Sequence, residues 1–522
     1  VLWGADAFAG IVNIVPYKGR DIKGIETDVF TGTDRYAGAM VKAGRKSKNT
    51  ESILSAYLAR DRYHKTDYMA DTSIVQSDDN AMKTIDDSYY LEIIGNTSVG
   101  EKIRLSGRFS DKHREYVLND SNGLSWLGKK SSPSGFVKGI YGDRFKGIDL
   151  TLTGYAQYIE YDITNVDVET EQSDWIYAGE LLLHKSFSRL DQVTLGASFR
   201  RNHVDGAPGE SDFLPDSLKP GNAVFVPDVD QVDYANTLVS GFGQYRHKWE
   251  DGKTDAFLGM RYDNHSEYDD TLSYNMGINR QITDTLRMKL VYGTAFRTPY
   301  PTQLIGTATL EPEEINTANF QILYNPDQNK HLSFTLFYSR ISNYVFEDPF
   351  GGLSFPSDLK IWGAEFSGKL VVNQHLDLYA GITVLDSKAD DIQYKIPAYT
   401  FVNPDGSKTT FYEEWTQPYD PGPKTLMSLG GSWRFLPRQF LTASLTWTDD
   451  IPFSFDKHEN AGSFNITPTL SLGLKSHEFI GTRFTLNLHA DNILNTTNLT
   501  PGVYGPAEQS PRQFYLGLSC KF

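Results

Sequence analysis

The last residues of the chain alternate between apolar and polar side chains. Phe514, Leu516, Leu518, Cys520 and Phe522 fall on one face of an extended strand, and polar or small residues fall on the other. A period of two residues predicts a β-strand that separates an apolar from a polar environment. No later segment covers this strand, and closing a sheet on itself removes such an edge. The pattern therefore predicts a β-barrel.

The same alternation recurs along the chain between connections of two kinds. Short turns are predicted at 46–49, 99–101, 144–147, 188–191, 250–253, 283–284, 325–329, 373–374, 436–438 and 477–481. A tight first hairpin is predicted at 32–34, and longer polar connections near 61–88, 112–133, 161–173, 203–233, 264–270, 297–315, 345–358, 388–423, 449–462 and 494–508. These ten turns and eleven other connections predict a 22-stranded antiparallel transmembrane β-barrel, all-β in class, with short turns on one rim and long loops on the other.

Composition supports this fold class. Hydrophobic residues make up 39% of the chain, and the mean hydropathy is −0.42. No run of about 18 apolar residues is present, which excludes a helical membrane protein but leaves a membrane barrel, whose alternating strands dilute the apolar signal. Aromatic residues at strand ends are expected to form interfacial girdles: Trp175, Tyr177, Trp249, Trp433 and Trp447.

Charge, cysteine and histidine usage exclude several functions. A net charge of −16 argues against a nucleic-acid partner. Cys520 is the only cysteine, so the chain has neither an internal disulfide nor a cysteine-built metal site. The 11 histidines are scattered and no nucleophile–base motif is present, so we expect no enzyme and no cofactor. Acidic pairs such as Asp269-Asp270 are calcium candidates, but their spacing favours solvated loop charge.

The first 19 residues, VLWGADAFAGIVNIVPYKG, carry a specific motif. Leu2, Gly4, Ala7, Gly10 and Asn13 match the turn and strand that end the plug domain of TonB-dependent outer-membrane receptors, a family that this segment resembles. We therefore expect residues 1–19 to be the end of a plug and residues 20–522 to be the receptor barrel. By the resemblance, the chain is a fragment or a processed product that lacks the upstream plug and TonB box.

Two further segments resemble the same family. The stretch from Tyr292 to Glu313, YGTAFRTPYPTQLIGTATLEPE, is similar to the family's Y-G-x-A-F-R-A-P and L-x-P-E motifs, with Thr298 in place of the usual Ala. Leu488 to Asn495 and the run from Pro511 to Phe522 resemble its last two strands. The resemblance covers essentially the whole chain because the motifs lie at its start, middle and end.

Alternation also places arginines on the polar face. If the apolar faces contact lipid, parity alone puts Arg104, Arg108, Arg200, Arg261, Arg287 and Arg297 in the lumen. A cationic lumen would attract an anionic ligand. The alternative is that these arginines pair with acidic residues of the plug or of the wall, such as Asp263, Glu180 or Asp491.

Candidate ligand-binding residues combine arginine with aromatic side chains near the long connections, a pairing common at binding hot spots. They are Arg62, Tyr63, Arg114, Tyr116, Arg200, Arg297, Tyr300, Trp415 and Tyr419. The alternative is that the aromatics are girdle residues. No metal-binding set is predicted.

The resemblance implies a receptor that imports a scarce ligand across the bacterial outer membrane. A ferric siderophore is the expected ligand, and cobalamin or another metal chelate is the alternative within the family. Haem is disfavoured because residues 298–312 contain no histidine. The implied partners are TonB–ExbB–ExbD, acting through the N-terminal region, and the lipid bilayer with its lipopolysaccharide; the receptor is expected to be a monomer. An ungated pore and a soluble all-β surface protein are the alternatives from other classes.

Overall fold

The main sheet of the described strands is an antiparallel β-barrel. The computed structural model describes residues 17–22, 24–33, 35–61, 88–119, 125–165, 168–208, 231–298, 311–347, 354–390, 392–402, 408–417, 422–454, 461–502 and 505–522. Within these ranges no helix is long and apolar enough to cross a membrane.

The described residues form 29 strands. In chain order they are β1 (Gly24–Gly32), β2 (Ala37–Lys46), β3 (Thr50–Asp61), β4 (Ser88–Val99), β5 (Ile103–Asn119), β6 (Ser125–Ser131), β7 (Ser134–Phe145), β8 (Ile148–Asn165), β9 (Val168–Ser186), β10 (Asp191–Pro208), β11 (Gln231–Lys248), β12 (Thr254–His265), β13 (Thr271–Gln281), β14 (Leu286–Arg297), β15 (Glu313–Asp327), β16 (Lys330–Glu347), β17 (Ser354–Asn373), β18 (Leu376–Ala389), β19 (Ile392–Val402), β20 (Lys408–Gln417), β21 (Thr425–Leu436), β22 (Gln439–Thr448), β23 (Ile451–Ser454), β24 (Ala461–Phe464), β25 (Thr469–His477), β26 (Phe484–Asp491), β27 (Leu499–Gly502), β28 (Gly505–Glu508) and β29 (Gln513–Lys521).

Closure of the barrel is made by the first and last strands. The strands β1 and β29 pair antiparallel from Glu26 opposite Lys521 to Gly32 opposite Tyr515. The backbone N–H of Phe522 also donates to the carbonyl oxygen of Ile25 at 2.8 Å. The last strand therefore has a partner on each side, because β26 pairs along its other edge. The predicted closure is confirmed.

The predicted count of 22 barrel strands is confirmed. The main sheet has 23 members because β6 is a separate short piece that pairs with β5 and β8. It continues β7 beyond a break at residues 132–133, where Pro133 has no N–H to donate to the ladder. The pieces β6 and β7 thus act as one interrupted strand of the barrel.

All ten predicted short turns fall between consecutive strands, on one rim. Several predicted long connections were wrong in extent, because the chain there stays extended. Near 161–173 only residues 166–167 separate β8 from β9, and near 112–133 the strands β5 and β6 continue the sheet. Three others contain hairpins of their own, β19–β20, β23–β24 and β27–β28. Backbone pairing in these connections satisfies polar groups that a plain loop would leave to water.

The two faces of the wall follow the predicted alternation. Leu54, Leu58, Leu290 and Leu516 are 55, 55, 51 and 44% exposed on the outside of the barrel. The inner face carries polar and aromatic side chains. Trp175 and Tyr177 lie on the outer face toward the long connections, and Trp249 and Trp433 are exposed toward the short turns. Apolar side chains exposed in this band, bounded by aromatic residues, are what contact with lipid requires.

Candidate ligand-binding site

Five aromatic rings line the lumen at the long-connection end of the first strands. We call them the aromatic shelf: Phe30, Tyr36, Tyr57, Tyr90 and Tyr515. The ring centroid of Phe30 lies 5.4 Å from that of Tyr36 and 5.7 Å from that of Tyr57, and the Phe30 ring stacks on both tyrosine rings. Tyr57 lies 5.4 Å from Tyr90, and Tyr36 meets Tyr515 edge-on at 5.6 Å. The shelf therefore spans five neighbouring segments of the wall.

Strand register explains why these rings meet. Phe30 of β1 is opposite Gly38 of β2 and opposite Gly517 of β29. A side chain at Gly38 would collide with the Phe30 ring, since an added Cβ would lie 2.5 Å from its carbon atoms. The glycine therefore leaves room for the ring to lie flat against the wall. The tight first hairpin then brings Tyr36 over the same surface, where its hydroxyl is 3.1 Å from that of Tyr57.

Cationic side chains border the aromatic shelf on β5. The Arg108 guanidinium donates to the Tyr90 hydroxyl at 3.3 Å, and its Nε lies 2.6 Å from the Glu92 carboxylate. The Lys112 ammonium lies 5.1 Å from the centroid of the Tyr90 ring. Arg114 is on the same face of the strand, two residues further along. Aromatic faces beside fixed cations can bind a planar anion through stacking, cation–π attraction and charge-assisted hydrogen bonds.

A second polar cluster lies in the wall between β10 and β12, and we call it the charge network. Arg261 donates from Nε to both carboxylate oxygens of Asp263, at 2.9 and 3.0 Å. Its Nη2 donates to the hydroxyls of Ser240 at 2.6 Å and Ser198 at 3.2 Å. The Ser240 hydroxyl donates in turn to Asp263 at 2.5 Å. Register aligns these residues, because Ser240 is opposite both Ser198 and Asp263.

The charged pair of this network is buried. The side chains of Arg261 and Asp263 are 5 and 1% exposed, and the guanidinium lies 5.0 Å from the Phe242 ring centroid. A buried arginine is tolerated only when its charge is paired and its donors are satisfied. Arg261 thus pairs with Asp263, one of the three wall carboxylates named as possible partners of the arginines, which lies two residues away on the same strand. Its role is therefore to hold three strands together rather than to present a free positive charge.

The alternation breaks near the end of β14. Pairing with β13 ends at Asn275 opposite Gly293, and the next contact is a hydrogen bond from the Tyr274 N–H to the Thr294 hydroxyl at 3.0 Å. Beyond this point Phe296, which parity places outside, is 2% exposed and packs with Leu238 of the inner face. Parity therefore does not fix the direction of the next residue, Arg297, whose placement in the lumen remains a prediction.

The opposite wall lines an open cavity of about 720 Å³ with both apolar and polar residues. Its polar lining includes Glu365, Ser367, Lys369, Tyr379 and Ser428, from β17, β18 and β21. This volume is in the range of small-molecule sites. It provides a further lumen surface, with these polar groups among apolar ones, on the side away from the aromatic shelf. Within the described ranges, no group of three or more His, Cys, Asp or Glu side chains is arranged to hold a metal ion.

The predicted ligand-binding residues are distributed around the barrel. Four of them lie outside the described residues: Arg62, Tyr63, Tyr300 and Tyr419. Tyr116 lies in β5 and Trp415 in β20, close to the ends of these strands. Their part in binding remains a prediction.

Three predicted arginines fall on separate parts of the wall. Arg114 lies in β5 opposite Lys130, beside the aromatic shelf. Arg200 lies in β10, two residues beyond Ser198 of the charge network. The Arg297 guanidinium is 2.5 Å from the carboxylate of Glu313, which is 1% exposed. The structure therefore does not gather these arginines into one cluster.

The remaining lumen arginines differ in their position along the barrel axis. Arg108 borders the aromatic shelf, whereas Arg104 and Arg287 are each the second residue of a strand that begins at a short turn. These two residues lie near the short-turn rim, away from the mouth formed by the long connections. Alternation along a strand indicates only whether a residue faces the lumen. Residues that face the lumen can still belong to different sites, because they lie at different positions along the barrel axis.

Sequence reasoning missed the aromatic shelf, since none of its five residues is among the predicted ligand-binding residues. Tyr36, Tyr57, Tyr90 and Tyr515 each occupy a polar-face position of a different segment. A signal was present, since Tyr57, Tyr90 and Tyr515 each alternate with outward apolar residues in their own strands. Their contact depends on the register of four strand pairs, which no single segment encodes.

Comparison with known proteins defines the family. Residues 22–493 match the family described as TonB dependent receptor-like, beta-barrel. This chain belongs to that family. The receptor barrel accordingly lies in the bacterial outer membrane, with short turns on the periplasmic side and long connections outside the cell. The aromatic shelf is thus at the outer end of the lumen, whereas the charge network lies near the middle of its strands.

Solved structures of low sequence identity share this fold. The FrpB iron transporter from Neisseria meningitidis (F3-3 variant) is 11% identical with a TM-score of 0.73, covering 97% of this chain and 83% of that one. The siderophore receptor PiuA from Acinetobacter baumannii is 14% identical with a TM-score of 0.67, covering 98% and 82%. At these identities the likeness shows the fold alone.

A curated relative matches only part of the receptor. The probable hemoglobin and hemoglobin-haptoglobin-binding protein 1 of Haemophilus influenzae is 28% identical over 194 residues. The match covers 34% of this chain and 17% of that protein.

Proposed function

We propose that this receptor imports an iron chelate, a ferric siderophore of the catecholate type, across the outer membrane. The aromatic shelf carries this proposal. Catecholate ligands are planar, aromatic and anionic when they hold ferric iron, and Tyr57 and Tyr90 offer ring faces next to the cations Arg108 and Lys112. Part of the Arg108 charge is compensated by Glu92, so Lys112 is the main source of attraction.

The position of the shelf supports import rather than a structural role alone. The rings lie at the outer mouth of the lumen, where an external ligand would first meet the wall. The names of two fold neighbours, an iron transporter and a siderophore receptor, agree with an iron-type ligand. We propose that TonB with ExbB–ExbD supplies the energy and that the receptor acts as a monomer surrounded by lipid and lipopolysaccharide.

Binding to the purified receptor tests the shelf. Ferric enterobactin or a simpler ferric tris-catecholate is titrated while intrinsic tryptophan fluorescence is followed. Tyr90→Ala removes one ring, and the loss of about 1–2 kcal/mol should weaken binding by about 5- to 30-fold. The matched control is Tyr89→Ala, which removes the adjacent ring on the outer, lipid-facing side and should leave binding unchanged. Equal affinities for the two variants would refute a binding role for the shelf.

Haem iron is a second candidate, favoured by the partial match to a haemoglobin-binding protein. The lack of histidine in residues 298–312 argues against it. Haem titration in the same assay separates the two ligands, because haem binding gives a Soret band that shifts on axial ligation. Binding of haem but not of the ferric catecholate would replace the siderophore proposal with this one. Binding of cobalamin alone would select the third ligand class.

We also propose that the receptor is not an enzyme. The support is the lack of a nucleophile–base or metal-hydrolase motif in the sequence. Recovery of the ferric chelate chemically unchanged after incubation with the receptor, judged by mass spectrometry, is the expected result. Hydrolysis of the chelate would contradict it.

A further inference from the structure

A line of cations crosses the outer, lipid-facing side of the barrel near its long-connection end. Arg340 of β16 is directly opposite Lys360 of β17, and Lys360 is directly opposite Lys388 of β18. All three side chains are exposed. Facing residues of neighbouring strands project to the same side of a sheet, so the three cations share the outer face. We call these three residues the cationic row.

The residues on the short-turn side of the cationic row place it at the edge of the lipid band. Along β16 the next outward side chains are Tyr338 and Leu336, and both are exposed. Tyr338 is opposite Trp362 of β17, so two aromatic rings separate the row from the apolar band. Lys330, the first residue of β16, precedes Arg340 by ten residues, and a transmembrane strand takes about 9–11 residues. The row therefore lies where lipid tails give way to headgroups.

The register brings like charges close together. Facing positions on adjacent strands have Cβ atoms about 4.5–5.5 Å apart, and like charges at such positions destabilise a sheet. Two carboxylates flank the row, and each already has a cation. Asp358 accepts a hydrogen bond from Arg340 at 2.8 Å, and Asp386 lies 3.0 Å from the Lys424 ammonium. These carboxylates hold the ends of the patch and leave its centre positive.

The centre of the cationic row has no counter-charge among the described residues. Neither Lys360 nor Lys388 forms an ion pair within the part of the chain that the structure describes. Two further outer carboxylates, Glu314 and Asp390, lie beyond the row toward the long connections, and neither forms an ion pair with a residue of the row. Two neighbouring ammonium groups thus face the headgroup layer, where an anion from outside the protein would relieve their repulsion.

We propose that the cationic row binds the phosphate groups of lipopolysaccharide, the glycolipid of the outer leaflet. The row borders lipid, so its anion is a headgroup whose acyl chains lie against the apolar band. Neighbouring strands are about 4.8 Å apart, so a row on three strands extends over about 10 Å. A disaccharide with a phosphate at each end covers that width, whereas the single phosphodiester of a phospholipid meets only part of it. The proposal rests on the outer-membrane setting of the proposed function, but not on which chelate is imported.

Binding of lipid A to the purified receptor, followed by native mass spectrometry in detergent, tests the proposal. The probes are diphosphorylated lipid A, the same lipid without its phosphates, and phosphatidylglycerol. The wild-type receptor is expected to bind the diphosphorylated form at least about tenfold more tightly than either of the others. Lys360→Gln/Lys388→Gln should weaken binding of that form by about tenfold or more, and Lys360→Arg/Lys388→Arg should retain it.

The matched control removes two cations from the same end of the outer face but outside the cationic row. Arg60 is opposite the outward Tyr89, and Arg201 is opposite the outward Tyr177. Both arginine side chains are exposed. Arg60→Gln/Arg201→Gln therefore changes the net charge by the same amount as the lysine variant and should bind diphosphorylated lipid A as the wild type does.

Three results would overturn the proposal: equal affinity of the wild-type receptor for phosphorylated and dephosphorylated lipid A, equal losses in the lysine variant and the control, or tighter binding of phosphatidylglycerol than of lipid A. The comparison of lipids on the wild-type receptor decides the matter even if a variant does not fold. Because the assay contains no iron chelate, its outcome is separate from that of ligand import: lipid A binding without ferric catecholate uptake would support this site and contradict only the imported ligand.

Discussion

Removing the carboxylate of Asp263 is the sharpest test of what holds the wall together. The Asp263→Ala variant leaves Arg261 buried with its charge uncompensated. Breaking a buried ion pair in this way costs about 3–5 kcal/mol. Arg261 keeps two hydroxyl acceptors, Ser240 at 2.6 Å and Ser198 at 3.2 Å, and the Glu180 carboxylate is close enough to interact with it electrostatically. We therefore expect the lower end of that range, about 3 kcal/mol.

The expected loss of stability distinguishes the buried Arg261–Asp263 pair from a more exposed ion pair on neighbouring strands. Arg246 of β11 donates to Asp255 of β12 at 3.0 Å, and the Arg246 side chain is 43% exposed. Pairs with that access to water contribute about 0–1 kcal/mol. Asp255→Ala is thus the matched control, with the same residue change, neighbouring strands and face of the wall.

Urea unfolding of the refolded barrel in detergent, followed by tryptophan fluorescence, measures both free energies of unfolding. The double variant Arg261→Met/Asp263→Leu should recover to within about 1 kcal/mol of the wild-type receptor, because apolar replacement of a whole buried pair is often neutral. The reasoning is refuted if Asp263→Ala unfolds like Asp255→Ala. The reasoning is also refuted if the double variant loses as much stability as the sum of the losses in Arg261→Met and Asp263→Leu alone.

Two further predictions concern packing inside the barrel. In Gly44→Ala the new methyl group would lie 2.6 Å from the Gly19 carbonyl oxygen and 2.8 Å from the Ile22 Cβ, so residues 17–22 should be displaced at a cost of about 1–3 kcal/mol and trypsin should cut faster at Arg20. The control is Gly95→Ala, whose nearest atom is at 3.8 Å and which should behave as the wild type. Equal cleavage of the two variants would contradict this packing. In Asn498→Ala the three hydrogen bonds to Thr467, at 2.8–2.9 Å, are lost. Because each buried hydrogen bond contributes about 1 kcal/mol or more, amide hydrogen exchange at Thr467 should become faster by tenfold or more. Unchanged exchange would show that the contact contributes nothing to stability.

The local pattern predicted the wall well and the sites poorly. Alternation decided which face of Leu290 or Leu516 meets lipid, and turn residues located all ten short connections, because both signals lie within a few residues. The long connections were misjudged where the polar chain forms hairpins such as β19–β20. Polarity indicates exposure to water but does not distinguish a loop from a solvated strand.

The candidate sites depend on information that a single strand lacks. Tyr57 meets Tyr36 and Tyr90 through the register of three strands. The break in alternation that buries Phe296 against Leu238 occurs where β14 leaves β13. Pairing of Arg261 with Asp263 was foreseeable because the two residues share one face of one strand. Contacts within a strand can thus be read from spacing, whereas contacts between strands require the register.

Uptake of radiolabelled iron supplied as a ferric catecholate is the most direct test of import by this receptor. The receptor gene is expressed in cells that lack their own catecholate receptors, with or without TonB. Accumulation of iron that requires both the receptor and TonB, and that is reduced by Tyr90→Ala but not by Tyr89→Ala, is the predicted result. Accumulation that persists without TonB would indicate an ungated pore, and no accumulation in either strain would contradict import of this ligand.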